Sequence, residues 1–115
     1  VTIDPYLAER RALVEAVTDS QGSLSAEVRR ALLDRAAGRP AAGPIAEKLG
    51  GFVDQVARNA TNVRDEDIAA LTADGLDEEA VFEAIVAAAL GASLARLERV
   101  DQLLTEGTDH APSNR

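Results

Sequence analysis

Cysteine is absent from all 115 residues of this chain. That removes disulfides, a thiolate nucleophile, iron–sulfur ligation and Cys-ligated zinc from its chemistry. Histidine occurs once, at His110. A His-Glu-x-x-His zinc motif needs two, and one imidazole is too few for an ordinary transition-metal site. No metal and no cofactor are expected. Tryptophan is missing too, with only two Phe and one Tyr. The core must therefore be built from Leu, Val, Ile and Ala, and Ala supplies helix propensity but little buried area.

Positive charge is also scarce. Twelve Lys and Arg face 20 Asp and Glu, for a net charge of -8. Phosphate backbones and anionic bilayers both select a cationic surplus, so neither nucleic acid nor a membrane surface is an expected partner. The acidity reads as solubility. The longest uncharged apolar run, Ala84 to Ala95, is shorter than the ~20 residues of a bilayer span. The N-terminus carries no charged-then-apolar leader pattern. With the missing thiols, this points to the cytoplasm as the expected location.

The residues present favour one helical domain over 1–107, with a polar, disordered tail at 108–115. Asp4-Pro5 is an N-cap with Pro at the first helical position, opening a helix to about Asp19 with Leu7, Leu13, Val14 and Val17 as its apolar residues. Ser25 caps a second helix to about Ala37, on which Val28, Leu32 and Ala36 repeat every four residues. Gly38 to Gly43 is a loop. From Pro44 to Thr61 a third helix carries Ile45, Leu49, Phe52, Val53 and Val56, and Gly50-Gly51 inside it predicts either a break of the helix or, the favoured alternative, close packing of another backbone. Asp65 caps a fourth, short helix that stops at Gly75. Asp77 caps the fifth, which runs through Val81, Phe82, Ile85, Val86, Leu90, Leu97, Val100 and Leu104 to Gly107. No segment alternates as a strand does. The fold class is all-α, a compact bundle of about five helices.

The fifth helix carries two rows of small residues, Ala84-Ala88-Ala92 and Ala87-Gly91-Ala95. Such rows let a second helix approach closely. Ala84, Ala88, Gly91, Ala92 and Ala95 serve either a tight internal contact or a subunit interface. The pattern does not choose between them, but a core this poor in large side chains gains from a second subunit, and a homo-oligomer is expected.

No catalytic constellation stands out. Gly50-Gly51 lacks the Lys-Ser/Thr and the preceding strand of a phosphate loop. The acidic trios at 65–67 and 77–79 lie where helix N-termini favour carboxylates. Glu83 differs, because it sits between Phe82 and Ile85 beside the apolar stripe. A carboxylate there needs an Arg partner or a raised pKa. Arg58, Arg96 or an Arg of another helix is the expected partner, ahead of a catalytic role.

The stretch from Phe52 to Ile85 resembles the carboxymuconolactone decarboxylase and alkylhydroperoxidase-D-like families. The resemblance rests on a helix ending Ala70-x-x-x-x-Gly75-Leu76, an acidic cap, then Glu83-Ala84-Ile85 and a long Ala-rich helix. It covers residues 45 to 100 and implies a compact helical domain that oligomerises. The redox branch of these families carries Cys-x-x-Cys-x-x-x-His before the glycine. Those positions fall here on Ala60, Val63 and Asp67, so the resemblance implies the fold without the peroxidase chemistry. The family's upstream acid falls near Lys48, with Glu47 one residue out of register. The leading expectation is a non-redox oligomeric accessory or binding subunit. The rivals are a decarboxylase or lactone-processing enzyme working through Glu47, Asp67 and Glu83 alone, and a small partner-binding helical module presenting an apolar groove.

Overall fold

A computed structural model describes residues 7–19, 21–41 and 43–110. Five helices follow one another: α1 (Leu7–Asp19), α2 (Ala26–Ala36), α3 (Glu47–Asn59), α4 (Asp65–Ala73) and α5 (Glu78–His110), with a short 3-10 turn at Ala60–Asn62 between α3 and α4. No strand occurs among the described residues. The expected cap at Asp4-Pro5 lies outside them. So do residues 111–115 of the expected tail, while 108–110 continue α5 as helix.

The helix boundaries come from local chemistry. Ser25 accepts a hydrogen bond from the Val28 amide at 3.2 Å and Asp77 from the Ala80 amide at 2.8 Å. Each satisfies one of the amides that a helix N-terminus leaves unpaired. At α4 the expected cap shifts: Asp65 is already helical, and Asp67 reaches back to the Arg64 amide at 2.9 Å. Gly38 (φ 78°) and Gly75 (φ 101°) end α2 and α4 in the left-handed region.

The core joins Leu32 and Leu33 of α2, Leu49, Phe52, Val53 and Val56 of α3, Leu71 of α4, and Val81, Ala84, Ala87 and Ala88 of α5. The small-residue rows of α5 are filled from within the chain. Ala84, Ala88, Gly91 and Ala92 are buried and Ala95 is half-buried. At Gly91 a Cβ would run into the Leu33 carbonyl oxygen and the Ala36 Cβ. The subunit contact expected at these residues gives way to an α2–α5 contact, made because no side chain holds the two backbones apart.

Gly50-Gly51 also differs from expectation. α3 passes through the pair unbroken, and what lies over Gly50 is the Arg35 guanidinium, not a backbone; Gly51 faces open space. Arg35 is held there by a two-pronged bond to Asp54, Nε to Oδ1 and Nη2 to Oδ2, both 2.8 Å. This fork ties α2 to α3, and the hydrogen bond from Arg35 holds the Asp54 carboxyl below the usual carboxylate range.

Two helices bury less than their patterns suggested. On α1, Val14 and Val17 are half-buried while Leu7 and Leu13 are exposed. On α5, Val81 is buried, but Phe82, Leu97, Val100 and Leu104 face solvent.

Gly91→Ala is expected to lower unfolding free energy by about 1–3 kcal/mol through overpacking, although Ala is the better helix former. Gly51→Ala, with open space, raises it by about 0.5–1 kcal/mol. Urea titrations of both variants check this, and a stabilised Gly91→Ala would contradict the close contact. Because the folded-state pKa of Asp54 is depressed, its stabilising contribution is intact above the unfolded pKa. It is lost as pH falls below about 4. Asp54→Asn should therefore lower stability at neutral pH and flatten the acid limb of a stability–pH curve; an unchanged acid limb would rule the contribution out.

Candidate functional site

Glu83 is the singular acid of the sequence, and its surroundings build from three elements. It stands one turn into α5, over the turn that joins α1 to α2. One carboxylate oxygen accepts the Ser23 amide at 2.8 Å and the other the Leu24 amide at 2.9 Å. The carboxylate lies against Gly22, where a Cβ would displace it. Ser23 also donates through its hydroxyl to Asp77 at 3.2 Å. The α1–α2 turn is thus pinned to the start of α5.

The cationic partner is Arg29, from α2, and neither Arg58 nor Arg96. Its Nε lies 3.9 Å from Glu83 Oε1, and only 4% of Arg29 and 13% of the Glu83 side chain are exposed. Arg29 also donates from Nη1 to the Val17 carbonyl at 2.7 Å and from Nε to the Leu24 carbonyl at 3.2 Å. Val17 is in the last turn of α1, where carbonyls have no helical partner. A buried guanidinium needs its charge and its donors answered; Glu83 stands opposite the charge of Arg29, and the Val17 and Leu24 carbonyls accept from it. Sequence patterning missed it, because a charged residue between Val28 and Arg30 reads as solvent-facing. The one available signal was the unpaired Glu83.

Glu83 and Arg29 form one wall of a cleft of about 250 Å³ that also includes Val17 and Phe82. Both carboxylate oxygens already accept a backbone amide. A general base must present an open lone pair to a substrate proton. Each oxygen of this carboxylate gives one of its two lone pairs to the fold.

The other candidate acids lie elsewhere. Asp67 is half-buried and accepts from the Arg64 amide and from Gln55 Nε2 at 3.1 Å, joining α3 to α4. Glu47 is exposed in the first turn of α3. Ala60 is exposed in the 3-10 turn, and Val63 packs against the core from the following loop. Asp67 and Glu83 answer to separate partners, and Ala60 looks outward. Among the described residues no three acidic or imidazole groups gather as a metal-holding cluster.

What the structure does present is apolar surface on α5. Phe82 is 64% exposed, Leu97 44% and Val100 50%. Glu78–Glu106 is long and apolar enough, by length and composition, to cross a membrane, which the short run 84–95 had not suggested; 44% of its most apolar window is buried inside the fold.

Glu83→Gln keeps one acceptor oxygen and loses the charge opposite Arg29, so it is expected to cost about 1–3 kcal/mol of stability with helicity retained. Glu83→Ala, which strands the buried guanidinium, should cost about 3–5 kcal/mol. Thermal and urea unfolding read both. Wild-type stability in Glu83→Ala would mean the latch does not form.

No family model, no curated protein and no solved structure matches the chain.

Proposed function

We propose that this protein is a non-catalytic helical module that works by association, presenting the outward face of α5 as its contact surface. The carrying observation is that α5 is apolar on two opposite sides, only one of which the described residues cover. Exposed apolar surface beyond a few hundred Å² marks an interaction site more often than chance. Of the three candidate acids, Asp67 bonds the amide that precedes α4 and Glu83 holds the α1–α2 turn.

In this reading the chain is a non-redox relative of the alkylhydroperoxidase-D-like and carboxymuconolactone decarboxylase families, serving as an accessory or binding subunit in the cytoplasm. Support comes from the Ala70-to-Leu76 helix ending, its Gly75 stop and the acidic start of the long helix. Support also comes from the lack of sulfur or imidazole at Ala60, Val63 and Asp67.

Light scattering across a hundredfold concentration range is the test. The expected mass is a multiple of the 12.1 kDa chain. Leu97→Glu, at an exposed site, should weaken association at least tenfold while circular dichroism stays unchanged. A 12.1 kDa mass at every concentration would remove the reading.

A further inference from the structure

The outward face of α5 has an internal order. Phe82, Val86, Ala89, Ser93, Leu97, Val100 and Leu104 follow at spacings of 4, 3, 4, 4, 3 and 4 residues. At 3.6 residues per turn they stay within a strip about 80° wide over about 33 Å of helix. The strip lies on the far side of the helix from Ala84, Ala88 and Gly91. Ala89, Ser93, Leu97, Val100 and Phe82 are exposed and Val86 is half-buried.

The spacing reads the same in both directions about Ser93. Reversal exchanges Phe82 with Leu104, Val86 with Val100 and Ala89 with Leu97, and returns Ser93 to itself. A surface with this symmetry is complementary to itself when two helices run antiparallel around a two-fold axis, which is the isologous geometry of a closed dimer. Size complementarity agrees. Ala89 would meet Leu97 of a second copy, so small faces large, and the serines would meet at the axis, where helices approach most closely. In a parallel pair Ala89 and Ser93 would each meet their own kind and leave a gap. The Ser93 hydroxyl already donates to the Ala89 carbonyl at 2.9 Å, so covering it strands no donor. Phe82, Leu97, Val100, Leu103 and Leu104, each 44–64% exposed, offer on the order of 500 Å² per copy, so two copies offer the ~1,000 Å² that a specific interface needs.

We infer that the partner of this face is a second copy of the chain, bound as an antiparallel α5 pair with its two-fold axis at Ser93. This rests on the association reading above and adds the occupant, the orientation and the register.

The chain's lack of cysteine makes the register directly testable. In the full-length protein, Ser93→Cys places two thiols on the axis, and mild oxidation should yield mostly one covalent dimer. Ala89→Cys is the control. Its two copies would sit about 12 Å apart along the axis, beyond the ~7 Å Cα limit of a disulfide, so it should cross-link at least tenfold less. Charge exchange supplies a second arm. Ala89→Glu and Leu97→Lys should each lower dimer affinity at least tenfold, and the double variant should recover most of it, since each Glu then faces a Lys. Equal cross-linking of the two cysteine variants, or no recovery in the double variant, overturns the antiparallel register. An oligomer that persists while Ser93→Cys stays uncoupled overturns this inference and leaves the association reading standing. A monomer at all concentrations ends both.

Discussion

The contact of α2 with α5 at Gly91 sets the rest of the molecule. A glycine there lets the Leu33 carbonyl and Ala36 approach the α5 backbone. With so few aromatic side chains available, the fold fills its centre by bringing helices near one another instead of by inserting bulk. Close backbones mean many weak dispersion contacts in place of a few large ones. Leu32, Leu33 and Val53 can then be almost fully enclosed in a small domain. The inner side of α5 takes Val81 and Leu94 beside its small residues, while Phe82, Leu97, Val100 and Leu104 lie on the outer one.

A polar latch completes what the close packing starts. α1 contributes few buried side chains of its own: Thr18 is enclosed, and its hydroxyl turns back to the Val14 carbonyl at 2.7 Å. Arg29 ties the last turn of α1 and the following turn to α2, and Glu83 ties that turn to α5. An all-apolar solution would need side chains that α1 lacks. The ion pair therefore specifies where α1 sits more than it adds net stability.

Much of the helix layout was legible because it is written in short-range chemistry. Ser25, Asp77, Gly38 and Gly75 act on backbone groups within a few residues of themselves, and no tertiary information is needed to read them. The apolar face of α3 was equally plain, since its only apolar stripe is the buried one. α5 was harder, because its two apolar sides are equivalent to a periodicity argument. Which one faces inward depends on whether small or large residues suit the neighbour. The three acids at 65–67 could each cap α4, and the choice of Asp67 depends on Arg64 lying extended before it. Arg29 could not be read at all: its burial depends on where the end of α1 lands. Of the candidate site, the need of Glu83 for an arginine was legible, and the identity of that arginine was not.

One consequence follows from how far α5 outruns its support. From Arg96 to Glu106 nearly every side chain is exposed, with Asp101 half-buried 3.9 Å from Arg10. A free helix of that length is marginal in water, because a short segment gains too few hydrogen bonds to offset the cost of nucleation. Its continuity with the packed half, together with the Arg39–Glu98 and Arg10–Asp101 pairs, helps keep it wound. The tip thus has low local stability relative to the core, and its backbone order becomes a gauge of whether anything is lying against it. A neighbour lying against it would stiffen it, with no change in the body of the fold.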